Sequence, residues 1–82
     1  MNRNEILILA EMFKMDCCNE VKAITIGMLS NLIKLSYSTT RNLIKILVIA
    51  EYIANGLKNS KSETYYLTSK GIDKIKSIKG MF

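Results

Sequence analysis

The stretch Leu29–Ile53, LSNLIKLSYSTTRNLIKILVIAEYI, reads as two helices joined by a tight turn, and the rest of the 82-residue chain is organised around it. Leu29, Leu32 and Ile33 recur at the three-and-four spacing of a helix face that must be buried. The pattern breaks at Lys34-Leu35. Ser36 is then a good N-cap, since its hydroxyl can accept a hydrogen bond from a free amide of the next helix. Behind it Thr40, Leu43, Ile44 and Leu47 form a second buried face. On the other side of that helix Ser38, Arg41, Asn42 and Lys45 fall together, with Tyr37 and Thr39 flanking them at the first turn. This face is polar and basic and carries no acid. The pair is a helix-turn-helix.

Working outward, a first helix is expected over residues 3–17, with Ile6, Leu9, Ala10, Phe13 and Cys17 as its buried stripe. A second stripe, Ile8, Met12, Met15, lies on its opposite side, and a monomer of this size could not easily cover both. The expectation is a homodimer in which Ile8, Met12, Met15 and Cys18 meet a second subunit, the alternative being that the stripe stays partly exposed or is covered by the C-terminal tail. Asn19 to Lys22 reads as a loop and Ala23-Ile24 as a short strand. Thr25 caps the helix expected over 25–34, and the helix with the basic face is expected over 36–51.

Beyond it the runs shorten. Tyr52 to Lys58 and Glu63 to Leu67 look like two strands, with Asn59-Ser60-Lys61-Ser62 as the polar turn of a hairpin over 52–67. Gly56 within the first strand points to a bulge or to close approach of another backbone. A last helix over 68–79, capped by Thr68 and stopped near Gly80, carries Ile72, Ile75 and Ile78 beside four lysines.

Here a resemblance enters, covering roughly residues 26 to 78. Leu29, Ile33, Leu35, Ser36, Ser38, Thr39, Leu43, Leu47 and Ile53 match the pattern of winged-helix transcription regulators similar to the MarR and ArsR families, in a small archaeal, viral or bacterial form. Tyr66-Leu67-Thr68-Ser69-Lys70-Gly71 resembles the Leu-Thr-x-x-Gly signature with which many of these domains leave the wing and enter their last helix. The resemblance implies an α+β winged helix-turn-helix: a three-helix core, a two-stranded wing and a C-terminal helix in a single domain over 1–82. Two features depart from the family. Lys34 stands where the turn is often Gly, and the end of the second helix is apolar at Ile46, Val48 and Ile49 where relatives usually carry charge, which suggests extra burial.

Charge agrees with a polyanionic partner. The formal net charge is +5, and residues 34–82 hold nine bases against three acids, whereas residues 1–33 hold three bases against four acids. Such asymmetry points most simply to nucleic acid. A helix entering the major groove needs donors on one face of its N-terminal half: Arg41 can address guanine bidentately and Asn42 adenine, while Ser38 and Thr39 meet bases or phosphates. Tyr37 is placed for a phosphate or a thymine methyl, and Lys45 for the backbone. The resemblance sets the hairpin tip, Lys58, Asn59, Ser60 and Lys61, over an adjacent minor groove or phosphate run.

Other functions have little to stand on. The chain has no His, its seven acids are scattered, and Lys70-Gly71 is in the wrong order for a phosphate loop, so no enzyme is expected. Cys17 and Cys18 without other soft ligands cannot close a zinc site. They read as small buried or half-buried residues of a reducing compartment, with a symmetric disulfide through Cys18 as the sharper alternative. No cofactor, metal or small-molecule effector is expected. Glu5 and Glu11 interrupt the only apolar stretch near the start, and no run approaches the ~20 residues of a membrane span. The expected protein is a cytoplasmic, nucleoid-associated regulator (in a host-cell cytoplasm if viral) that binds double-stranded DNA. The alternative is a winged-helix interaction or assembly module.

Overall fold

The computed structural model describes residues 2–58 and 62–79. Its elements follow in the order α1 (Arg3–Lys14), β1 (Ile24–Thr25), α2 (Ile26–Ile33), α3 (Tyr37–Ile49), β2 (Ile53–Asn55), β3 (Thr64–Leu67) and α4 (Ser69–Lys79). This is the expected α+β arrangement of a helix-turn-helix, a hairpin and a final helix. The strand before α2 does more than precede it. β1 pairs antiparallel with β3, so the sheet has the order β1-β3-β2, with Ile24 opposite Tyr65 on one edge and Asn55 opposite Tyr65 on the other.

Each helix starts on a side chain that takes an otherwise unpaired amide three residues on. Asn2 and Glu5 form a reciprocal capping box at 2.8 and 3.0 Å. Thr25 accepts Met28 N–H at 3.2 Å, Ser36 accepts Thr39 N–H at 3.2 Å, and Thr68 accepts Gly71 N–H at 3.1 Å. The exits are equally regular. Asp16, Lys34 and Glu51 adopt the left-handed conformation, with φ of 60, 59 and 68°, and the next residue's N–H returns to a carbonyl five positions back. Cys17 bonds Met12, Leu35 bonds Ser30 and Tyr52 bonds Leu47, and with Asp16 N–H on Phe13 and Glu51 N–H on Val48 the first and third are Schellman turns, while Lys34 N–H shares the Ser30 carbonyl; none uses glycine.

These turns explain where the elements stop. α1 ends three residues before the expected Cys17 because Asp16 reverses the chain, and Tyr52 belongs to the exit of α3 rather than to β2. The hydrophobic residue after each reversal folds back toward the core: Cys17 is buried, and Leu35 and Tyr52 pack against it. Gly56 confirms a close approach, since a Cβ there would overlap the Ala23 side chain and sit 3.0 Å from the Glu20 carbonyl oxygen.

The core corrects the reading of α1. Ile8 and Met12, expected at a dimer interface, are 0% exposed, together with Leu9, while Ile6, Ala10 and Phe13 are only partly buried. The physical reason is that α1 is enclosed by α2, α3, β3 and α4 at once, so its buried face is broad and centred on Ile8-Leu9-Met12. Ile8 and Met12 have no surface left to offer a second subunit. Two further expectations change: Leu32 is 45% exposed, and at the apolar end of α3 Ile46 and Ile49 are 50% and 83% exposed, while Val48 alone of the three is partly buried against the core.

Candidate nucleic-acid interface

Ser36 sets both the position and the rotation of α3. Its Oγ donates to Thr39 Oγ1 at 2.9 Å while accepting the Thr39 amide, and its carbonyl accepts the Thr40 hydroxyl at 2.9 Å. Thr40 is fully buried, so that last bond satisfies a group whose isolation would cost about 1–3 kcal/mol. With Thr40, Leu43, Ile44 and Leu47 fixed inward, α3 can turn only one flank outward. Tyr37, Ser38, Thr39, Arg41, Asn42 and Lys45 are all exposed on it.

Among the described residues Arg41, Asn42 and Lys45 have no hydrogen-bond or ion-pair partner. Their donors are available to a ligand. Thr39 differs in that its oxygen already accepts from Ser36, which leaves its proton for an outside acceptor. Lys58 is exposed beyond β2, and the other expected tip residues, Asn59, Ser60 and Lys61, lie outside the described residues.

Between α3 and the sheet lies a concavity of about 580 Å³, lined by Thr25, Ile26 and Gly27 at the start of α2, by Tyr37, Arg41 and Lys45, and by Ser62, Glu63 and Tyr65. No local signal in the sequence marks Glu63 and Tyr65 as site residues. Strand periodicity puts them on one face, but only the pairing of β3 with both neighbours turns that face toward α3. Burial, then the neighbouring Glu63 charge, pushes the Tyr65 phenol above its ordinary value, so it is a hydrogen-bond donor at neutral pH. It donates to Glu63 Oε2 at 3.3 Å.

The two other expected contact residues sit elsewhere. Met15 is 39% exposed and Cys18 half-buried, both at the exit of α1. Burial raises the thiols of Cys17 and Cys18 above the ordinary value of 9.0, with Asp16 adding to the effect at both. Neither is an activated nucleophile. Among the described residues no group of His, Cys, Asp or Glu could hold a metal ion, and no helix is long and apolar enough to cross a membrane.

The chain matches no family model. It is 41% identical over 78 residues to the DNA-binding protein TubR of Clostridium botulinum C phage, covering 95% of this chain and 96% of that one. The chain belongs to the TubR family. The solution structure of the DNA-binding TubR fragment from Clostridium botulinum superposes on this TubR-family chain with a TM-score of 0.80 over 95% of it and 96% of the fragment. At 14% identity, the Staphylococcus aureus MepR-DNA complex gives a TM-score of 0.85 over the whole chain and 64% of MepR. That likeness shows a shared winged-helix fold, in keeping with the resemblance read from Leu29, Ser36 and the Leu67-Thr68-Ser69-Lys70-Gly71 segment.

Proposed function

We propose that this chain is a non-catalytic, cytoplasmic transcription regulator that binds double-stranded DNA sequence-specifically as a homodimer. α3 enters the major groove with Arg41 and Asn42 on base edges, Ser38 and Thr39 on bases or phosphates, and Tyr37 and Lys45 toward the backbone. The hairpin carries Lys58, Asn59, Ser60 and Lys61 to adjacent backbone or minor groove. One observation carries the reading: the acid-free flank of α3 is wholly exposed, and its Arg41, Asn42 and Lys45 donors are unpartnered among the described residues, while the opposite flank is locked into the core.

The homodimer contact we assign to Ile46 and Ile49 in place of Ile8 and Met12, because a large apolar side chain left 83% exposed beside another is the kind of surface a partner covers. The same exposure favours one rival, an assembly module that docks through this end of α3 and ignores DNA. Salt dependence separates the two. With about three phosphate contacts in each of two subunits, affinity for a duplex is expected to fall roughly 10³-fold between 50 and 200 mM salt. Negligible duplex binding at low salt would leave the assembly reading.

A further inference from the structure

Glu63 lines, from the wing side, the concavity that Arg41 and Lys45 line from α3, and among the described residues that form it Glu63 is the one acid. An acid beside two bases ordinarily forms an ion pair. Here neither cation lies within 4.0 Å of the carboxylate. Glu63 is held instead by neutral groups: Oε2 accepts Asn55 Nδ2–H at 3.1 Å and the Tyr65 hydroxyl at 3.3 Å, and Oε1 has no partner among the described residues. Asn55 and Tyr65 face one another across the β2–β3 pairing, so the tether is anchored in the sheet. Among the described residues no cation pairs with this carboxylate, and its two hydrogen bonds hold it toward whatever enters between α3 and the wing.

Resting on the duplex-binding reading above, we propose that Glu63 is a specificity-determining residue that penalises phosphate in this concavity. Arg41 and Lys45 draw in the backbone of any duplex, and the fixed carboxylate repels it at short range. Only a docking register that keeps phosphates clear of Glu63 gains the full attraction. Nonspecific duplex, sampled in every register, loses most.

The test replaces Glu63→Gln, which removes the charge, keeps an oxygen for Tyr65 and alters an exposed side chain. Affinities are measured between 50 and 200 mM salt for a random-sequence duplex and for the duplex that the unaltered protein enriches from a random pool. The variant is expected to bind the random duplex about 10-fold tighter, with a log–log salt slope steeper by about 1, and the enriched duplex within about 2-fold. Equal shifts on both duplexes, or none, would overturn the role of Glu63 while leaving duplex binding intact. Failure of the unaltered protein to bind any duplex at 50 mM salt would overturn both.

Discussion

The Thr68 hydroxyl joins the start of α4 to the end of α3: it accepts Gly71 N–H at 3.1 Å and donates to the Glu51 carbonyl at 2.6 Å. The Thr68 amide reaches the Tyr52 carbonyl at 3.1 Å, and a Cβ on Gly71 would overlap that same carbonyl oxygen. Leu67 is fully buried beside them. The Leu-Thr-x-x-Gly segment is therefore a clasp in which Leu fills the core, Thr bridges two helices, and Gly admits the backbone of the α3 exit.

Gly71→Ala is expected to destabilise the fold by about 2 kcal/mol, because the obstructing atom is backbone and has nowhere to swing. Thr68→Ala should cost about 1–2 kcal/mol through the lost cap and bridge. Urea midpoints at constant slope would measure both. The two losses should not add, since both variants disturb one set of contacts. A Gly71→Ala protein as stable as the parent would show that the Tyr52 carbonyl moves freely.

Lys34 holds the turn of the helix-turn-helix at φ 59°, ψ 37° with an ordinary side chain, and it is exposed. The left-handed conformation costs an L-residue about 1–2 kcal/mol that glycine does not incur, partly offset by the greater freedom of glycine in the unfolded chain. Lys34→Gly should therefore stabilise the protein by about 1 kcal/mol and raise its melting temperature by roughly 4–8 °C. A lower melting temperature would mean that the Lys34 stem packs usefully over α2.

Arg41→Ala and Lys45→Ala should separate reading from holding. Both residues are exposed, so neither change should alter the thermal transition. Loss of Arg41 is expected to cost about 1–3 kcal/mol on the preferred duplex and to relax choice at one base position. Loss of Lys45 should weaken all duplexes alike and reduce the salt slope by about 1. Competition with duplexes carrying single base changes would register the difference, and an even loss for both variants would make Arg41 a phosphate contact.

Ile46 and Ile49 supply a prediction about assembly. With both replaced by Lys, sedimentation equilibrium without DNA is expected to show a monomer where the parent sediments as a dimer. Helix content should hold, because both side chains already face solvent. A persistent dimer would move the contact elsewhere on the surface, with Met15 and Cys18 the next residues to examine.

Stability should be lost on the alkaline side. The thiols of Cys17 and Cys18 lie above 9.0 and the phenol of Tyr65 above 10.0 in the fold, in each case chiefly through burial. A group raised in the folded state favours the fold while protonated, so its contribution is complete below the unfolded value and disappears as pH rises through the folded one. Melting temperature is expected to stay level from pH 7 to about 9 and to decline above it, less steeply in Cys18→Ser. The Asp16–Lys22 pair, 2.8 Å apart and well exposed, holds the Asp16 carboxyl below 3.8. Its small stabilising effect should be present above that value and fade as pH falls through the lower folded one.

The helix-turn-helix was readable from residues 29–53 because its signals are local. Ser36 caps within three residues, and Thr40, Leu43, Ile44 and Leu47 repeat at the pitch of the helix they define, which by itself puts one flank of α3 inward and the other outward. The burial of α1 was not readable in the same way. Periodicity reports which residues share a face, not how many elements surround that face, and α1 is enclosed by α2, α3, β3 and α4. Ile8 and Met12 therefore read as a second surface, whereas Ile46 and Ile49, apolar enough to suggest burial, stand in solvent because the packing at that end of α3 falls on Leu47 and Val48 beside them. Glu63 and Tyr65 entered the site by the same route, through a strand register that joins residues far apart in the chain. Local caps and spacings lie in the sequence because they are interactions over three or four residues; enclosure and register are decided only when distant segments meet.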